Sequence, residues 1–180
     1  TFDALFQAAP KEVKVQYIKS EFVNPSHWLI PNTHWILGNY TRLPKETIDA
    51  LCELAQKRQI SYSVVEFDYK YCVVRNEKVH NYHVYKSGNF GFCNCPNQPI
   101  GTYTKVIFGF AEQVHFMSQG QMELVLKRLP ELNANKQNFR VQWSTWNRKD
   151  IEFIESLYEN KKLKEQNNKW AIQESSNWLK

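Results

Sequence analysis

The sequence predicts an α+β fold in which a mixed, mostly antiparallel sheet of five to seven strands carries three or four helices. Three observations predict it: short runs that alternate polar and apolar residues, turn residues between these runs, and longer runs with helical spacing. The chain has 180 residues, 42% of them hydrophobic, which is long enough for one well-buried core and short for two. We expect one globular domain over residues 1–180, with residues 1–10 as a flexible arm and 147–180 as a C-terminal helical segment.

The N-terminal third shows two short strand patterns and one helix pattern. Residues 12–19 alternate apolar and polar side chains, and Trp35-Ile36-Leu37 forms a short apolar run closed by Gly38, so both are predicted strands. A helix is predicted from Pro44 to Gln59, because proline suits the first helical position and the apolar residues that follow share one face.

The middle of the chain has the pattern of a long strand followed by a hairpin. From Ile60 to Tyr71, apolar and polar side chains alternate with a period of two residues. This alternation predicts a strand with one largely polar face. The remaining predicted elements of this part are a strand at His80–Tyr85, a turn at Ser87–Gly88, a return strand at Asn89–Cys93 and a strand at Tyr103–Phe110 that continues through Val114–Phe116.

The C-terminal part is predicted to contain two helices around a last strand. Gln119–Leu129 has an amphipathic helical pattern, and Phe139, Val141 and Trp143 alternate as a strand would. Asn147 is placed to cap a further helix. Residues 168–179 are predicted to form a short final one.

Charge and composition narrow the classes of partner. No apolar run approaches the roughly 20 residues that cross a bilayer, so we expect no membrane partner. The formal net charge of +5 is spread thinly, so a basic surface for nucleic acid would have to be assembled by the fold. Four cysteines without an obvious disulfide framework favour reduced thiols and an intracellular location.

Glu66, Asp68 and Lys70 are spaced by two and would project from the same face of a regular strand. Asp68-Tyr69-Lys70 resembles the second half of the PD-(D/E)xK nuclease motif. The resemblance implies a Mg²⁺-dependent phosphodiester hydrolase with these three catalytic residues. The family also has an earlier acid, for which the nearby candidates, Asp49 and Glu53, lie on the predicted helix. The alternative is an ordinary charged face of an antiparallel sheet.

Cysteines and histidines cluster between residues 72 and 95, and zinc takes four such ligands. In the predicted hairpin, His80, Cys93 and Cys95 share one face and are the predicted ligands of a Zn²⁺ ion. Cys72 and His83 fall on the other face. A four-ligand site would therefore need a bulge in the hairpin, or a fourth ligand from elsewhere such as His115. The alternative is that these side chains are packed in the core.

The leading functional prediction is a nucleic-acid-binding module. Trp28 and Trp146 lie in loops or at element ends, where exposed rings can stack on unpaired bases. The basic residues predicted to contact phosphates are Arg148, Lys149, Lys161 and Lys162. The alternatives are a protein-interaction or structural domain without catalysis, and the metal-dependent nuclease; the partner is therefore DNA, RNA or a protein.

Overall fold

The computed structural model of the chain describes residues 9–84, 91–142 and 148–159. The chain divides into two compact units, one of Thr1–Val13 with Thr145–Lys180 and one of Lys14–Ser144. Within the described residues, no helix combines the length and the apolar character that a membrane crossing requires.

The larger unit alternates strands with helices. Its elements are β1 (His34–Leu37), α1 (Lys45–Gln56), β2 (Ser61–Glu66), α2 (Glu77–Val79, continued by a π-helical turn at His80–Val84), α3 (Pro99–Phe110), β3 (Gln113–Phe116), α4 (Gln119–Arg128) and β4 (Phe139–Val141). Short 3-10 helices lie at Ser20–Phe22, Pro25–Leu29, Tyr40–Arg42, Cys95–Asn97 and Pro130–Asn138. The smaller unit contains α5 (Arg148–Glu159).

The described strands form one four-stranded, all-parallel sheet in the order β1-β2-β3-β4. The fold is therefore α/β, and the prediction of a mostly antiparallel sheet of five to seven strands is wrong. The physical reason is that helices separate each strand from the next, and a parallel pair needs such a crossover whereas an antiparallel pair can close with a tight turn.

The largest single correction concerns Tyr103–Phe110, which lies in α3 and not in a strand. The buried positions of α3 are Gly101, Thr104, Ile107 and Phe108, whose spacing matches one face of a helix. Pro99 occupies the first position of this helix, where its fixed φ favours helical backbone.

The predicted hairpin is also wrong. His80–Val84 is a π-helical turn that follows α2, and residues 91–93 have no regular secondary structure. The turn at Ser87–Gly88 lies outside the described residues. The long strand from Ile60 ends at Glu66, and residues 12–19 form no strand.

Other elements agree with their predictions. The strand at Trp35–Leu37 and the helices within Pro44–Gln59 and Gln119–Leu129 are confirmed as β1, α1 and α4. A helix follows position 147, although Asn147 and residues 168–179 lie outside the described ranges.

The helices of the larger unit pack on one face of the sheet. Tyr62 of β2 donates a hydrogen bond from its hydroxyl to the Ile107 carbonyl oxygen of α3, at 2.8 Å. The Phe108 ring makes edge contacts with Phe116 and Phe139 of β3 and β4. On the opposite face, His34, Ile36 and Gln113 are exposed, so the described helices of the larger unit do not cover the sheet there.

Candidate metal centre

The chain leaves β2 through a loop that is fixed by a buried ion cluster. The Lys70 backbone N–H donates to Glu66 Oε1 at 3.0 Å, and its ammonium lies 3.3 Å from Glu66 Oε2 and 3.1 Å from Asp68 Oδ1. The side chains of Glu66 and Lys70 are each only 1% exposed. These contacts join the end of β2 to the loop that follows it, and Cys72 lies two residues beyond Lys70.

Arg75 closes this loop. It has a φ of 59°, in the left-handed region that a non-glycine residue rarely adopts, and its N–H donates to the Cys72 carbonyl oxygen at 2.8 Å. Its guanidinium donates to Asp68 Oδ2 at 2.9 Å and to Asn39 Oδ1 at 2.8 Å. These side-chain bonds hold the turn against the end of β1.

Helix α2 begins directly after this turn and carries His80. The Asn76 side chain caps the helix by accepting the Val79 N–H at 3.2 Å, a common role for asparagine. The His80 N–H donates to the Asn76 carbonyl oxygen at 2.9 Å. One turn of helix thus directs the His80 imidazole toward Cys72.

Cys93 and Cys95 come from the segment that leads into α3. Cys95 begins a 3-10 turn with Pro96 and Asn97. Helix α3 approaches this turn so closely that a Cβ atom on Gly101 would lie 2.3 Å from the Pro96 carbonyl oxygen. Glycine is therefore required at this position, and the contact fixes Cys95 relative to α3.

The ligand atoms of Cys72, His80, Cys93 and Cys95 converge, all lying within 4.8 Å of one another. Cys72 Sγ lies 3.7 Å from Cys93 Sγ, and His80 Nδ1 lies 3.4 Å from Cys72 Sγ and 3.2 Å from Cys95 Sγ. A tetrahedral zinc ion with Zn–S bonds of about 2.3 Å separates two sulfurs by about 3.8 Å and a sulfur from a nitrogen by about 3.5 Å. The cluster therefore has dimensions that can hold a metal such as zinc.

Burial makes the thiolate form costly without a cation. All four side chains are buried, and burial raises the pKa of both the Cys72 and the Cys93 thiols. Backbone N–H groups oppose this effect: those of Val74 and Asn76 lower the pKa of Cys72, and that of Cys95 lowers the pKa of Cys93. Donors directed at the sulfurs favour the charged form that binds a metal.

Arg128 of α4 joins two of the ligand-bearing segments. Its Nη2 donates to the Cys93 carbonyl oxygen at 2.6 Å, and its Nε donates to Glu77 Oε1 at 2.7 Å. The guanidinium also lies over the Phe92 ring, 4.7 Å from the centroid. Three thiolates and one divalent cation would carry a net charge of −1, which the neighbouring guanidinium complements.

The structure brings the predicted zinc ligands His80, Cys93 and Cys95 together and adds Cys72. The strand prediction puts Cys72 on the opposite face, because a strand alternates its side chains, whereas the helical turn that carries His80 does not. The sequence signal for this helix is Asn76, a strong capping residue, before Glu77. The His83 side chain lies outside the described part, and His115 lies on β3, away from the group.

Glu66, Asp68 and Lys70 do come together, but as the paired cluster described above. They lie at and beyond the end of β2 and not along one exposed strand face. Asp68 is 31% exposed, while Glu66 and Lys70 are enclosed. Both Glu66 oxygens are bonded to Lys70, so these contacts give no support for Mg²⁺. Asp49 on α1 accepts hydrogen bonds from Lys45 and Tyr103.

The residues predicted to contact nucleic acid divide into two groups. Trp28 is 4% exposed, and its indole N–H donates to the Thr47 carbonyl oxygen at 3.0 Å, so its ring is not available to stack on a base. Arg148 and Lys149 are exposed at the start of α5. Trp146, Lys161 and Lys162 lie outside the described residues.

Comparison with known proteins adds no functional assignment: no protein-family model, curated protein or solved structure matches the chain.

Proposed function

We propose that the protein binds one Zn²⁺ ion through Cys72, His80, Cys93 and Cys95, and that the ion has a structural role. The observation that carries the proposal is the convergence of these four buried ligand atoms within 4.8 Å. Thiolate and imidazole ligands favour zinc over the oxygen-preferring Mg²⁺ and Ca²⁺.

The number of ligands supports a structural role for the ion. Catalytic zinc sites leave one position open for water or substrate, whereas structural sites are closed by four protein ligands. Here four ligands are available, and each is at most 3% exposed. Substrate would have neither an open coordination position nor a path to one.

The ion would stabilise the long crossover from β2 to β3. This segment, residues 67–112, holds α2 and α3, and its described residues, 67–84 and 91–112, contribute no strand to the sheet. Zinc would link the loop after β2, the helical turn at His80 and the segment before α3. Because metal binding is coupled to folding in such sites, we expect loss of the ion to loosen this crossover before the sheet.

Elemental analysis of the full chain, purified under reducing conditions without added chelator, tests the proposal. We expect about one zinc per chain, and less than half as much in Cys72→Ser and Cys95→Ser. Cys52→Ser is the matched control, because Cys52 is a free, partly buried cysteine of α1 outside the cluster. A wild type with under about a tenth of an equivalent after refolding with zinc would contradict the proposal.

Replacement of zinc by Co²⁺ tests the ligand set on the wild type itself, so the result does not depend on whether the cysteine variants fold. Tetrahedral cobalt bound to thiolates has intense visible absorption and a sulfur-to-metal charge-transfer band. We expect both in the wild type and in Cys52→Ser. An octahedral, weakly absorbing cobalt spectrum in the wild type would contradict the ligand set.

A second candidate function is nucleic-acid binding, supported by the exposed pair Arg148 and Lys149 and by the net charge of +5. Binding to short single- and double-stranded DNA and RNA over a salt series tests it, because phosphate contacts release counterions. The double variant Arg148→Glu, Lys149→Glu should reduce both affinity and salt slope, unlike the exposed control Lys57→Glu at the residue that follows α1. No binding at low salt would leave a protein-interaction role for the zinc-stabilised domain.

A further inference from the structure

A series of hydrogen-bonded hydroxyl, imidazole and carboxylate groups crosses the face of the sheet that lies opposite the helices of the larger unit. His34 of β1 lies between two serines of β2, with its Nδ1 2.6 Å from Ser61 Oγ and its Nε2 2.9 Å from Ser63 Oγ. Ser61 Oγ in turn donates to Glu112 Oε1 at 2.6 Å. None of these four residues belongs to the metal cluster.

The parallel register produces this arrangement. His34 is the register partner of Ser61, and Ser63 projects from the same face, about 6.6 Å further along the strand. One imidazole can therefore bridge the two hydroxyls. Glu112 directly precedes the first residue of β3, and its carboxylate is the last group in the series of hydrogen bonds, on the other side of Ser61 from His34.

For a neutral His34 imidazole, the hydrogen bonds decide which ring nitrogen carries the proton. A serine hydroxyl has one proton, and that of Ser61 is directed to the Glu112 carboxylate, which can only accept. Ser61 Oγ must then accept from His34 Nδ1–H. A neutral imidazole has one N–H, so Nε2 is left as an acceptor for the hydroxyl of Ser63. Ser63 thus has a base in contact, and that base is oriented by Ser61 and Glu112.

The surroundings of Ser63 offer a donor and an apolar surface. Its register partner on β3 is Gln113, an exposed residue whose side-chain amide projects from the same face. On β1 its partner is Ile36, which is 49% exposed. Next to Ser63, His34 and Ser61 line an open cleft of about 610 Å³, which Ser63 itself does not line and whose apolar walls include Leu29, Ile30 and Ile60.

We propose that this face of the sheet is an acyl-transfer site that hydrolyses esters with an apolar acyl group. Ser63 is the nucleophile, His34 the general base and Gln113 the donor to the developing oxyanion, while Ser61 and Glu112 are positioning residues. The cleft beside His34 and Ser61 accommodates the acyl chain. This activity goes beyond zinc binding and does not depend on it.

Two balanced steps describe the reaction. Ser63 Oγ forms a bond to the ester carbonyl carbon while its proton passes to His34 Nε2; the bond to the alcohol oxygen breaks, and His34 returns the proton to that oxygen. Water then adds to the acyl carbon and gives a proton to His34 Nε2. The bond to Ser63 Oγ breaks, and Ser63 regains its proton as the carboxylic acid leaves.

Labelling with a fluorophosphonate, followed by peptide mass spectrometry on the full zinc-loaded chain, tests the assignment. We expect modification at Ser63, and a fall of about 100-fold or more in labelling rate for His34→Gln, the loss typical of a removed general base. Ser63→Ala should remove that label. Ser26→Ala is the matched control, because Ser26 is an exposed serine whose hydroxyl donates to Asn24 Oδ1 and not to an imidazole.

Hydrolysis of p-nitrophenyl esters of increasing acyl length provides the second readout. We expect kcat/KM to rise from acetate to hexanoate and to fall to the solvent background in Ser63→Ala. Glu112→Gln should shift the acid limb of the pH–rate profile, which a merely structural residue would not move. Labelling at another residue, or equal hydrolysis by wild type and Ser63→Ala, would overturn the proposal.

Discussion

Arg128 donates a hydrogen bond to the backbone carbonyl oxygen of Cys93 across 2.6 Å, and this contact links α4 to the candidate zinc cluster. The same guanidinium pairs with Glu77, the first residue of the helix that leads to His80. The Glu77 side chain is 3% exposed and that of Arg128 is 21% exposed, so the pair is largely shielded from solvent. One residue therefore positions two ligand-bearing segments without touching a ligand atom.

We expect Arg128→Ala to weaken zinc binding by about 10- to 100-fold, the range typical when a group supporting a metal ligand is removed. Arg128→Lys should recover only part of the affinity, because an ammonium cannot reproduce both bonds of the planar guanidinium. Competition with a chromophoric chelator measures the affinity. Lys127→Ala is the control, since it removes a neighbouring cation that lies over Phe92 and leaves both Arg128 bonds intact. Equal affinities for Arg128→Ala and Lys127→Ala would contradict the positioning role.

Gly101→Ala should disturb the zinc cluster from a distance. The added methyl would lie 2.3 Å from the Pro96 carbonyl oxygen and 2.7 Å from that of Cys95, so either α3 or the ligand segment must shift. We expect a loss of about 1–3 kcal/mol in the free energy of unfolding, the range seen for overpacking, with weaker zinc binding. Denaturation with saturating zinc measures the first effect, and chelator competition the second.

The chain offers a matched control for this substitution. Gly120 lies in α4, and a Cβ atom there would meet nothing within 4 Å. Gly120→Ala should therefore stabilise the protein by up to about 1 kcal/mol through helix propensity. If both substitutions acted alike, the close contact between α3 and the Cys95–Pro96 backbone would not be a constraint on stability.

The sequence predicts correctly those helices whose hydrophobic spacing fits only one kind of secondary structure. The apolar stripe of α1 and the capped amphipathic run of α4 have clear helical spacing, and both helices were located correctly. Val106, Ile107 and Phe108 belong to residue types enriched in strands, so the local sequence of α3 favours a strand. Packing of Thr104, Ile107 and Phe108 on one helical face overrides that local preference.

This one error accounts for much of the wrong topology. If α3 and the turn at His80 are strands, only short turns separate neighbouring strands, and short turns predict an antiparallel sheet. The same assumption separated Cys72 from the three other ligands, because strand parity was applied to a helical turn. The ligand types could be found from composition, whereas their convergence depends on the Asn76 cap and on the tertiary position of α3, which periodicity does not report.

Trp28→Phe should lower the stability and leave any nucleic-acid affinity unchanged. The buried indole makes an edge contact with Trp35, at 4.9 Å between ring centroids, and its N–H satisfies the Thr47 carbonyl oxygen. Removal of the donor loses one buried hydrogen bond, at a cost of about 0.5–1.5 kcal/mol. Denaturant unfolding checks the stability. A loss of nucleic-acid binding without a change in stability would mean that the ring is exposed and stacks on bases.

Glu66→Gln should change how the stability depends on pH. Burial is the main cause that raises the pKa of Glu66 from 4.5 to about 7, opposed by the charge of Lys70. Between these two values the native state binds more protons than the unfolded state, so this group's contribution to stability is greatest near pH 4.5 and is lost as the pH rises to 7. The loss can reach about 3 kcal/mol, at 1.36 kcal/mol per pKa unit.

The measurement is the difference in unfolding free energy between wild type and Glu66→Gln at pH values from 5.5 to 8, with zinc saturating in both proteins. Glutamine can still accept the Lys70 backbone N–H but does not titrate, and acid release of zinc affects both proteins alike, so the difference isolates Glu66. We expect the wild type to lose stability relative to the variant up to about pH 7 and to show a constant difference above it. A difference that stays constant from pH 5.5 to 8 would mean that Glu66 is ionised throughout this range, that its pKa is not raised, and that ion pairing outweighs burial at the end of β2.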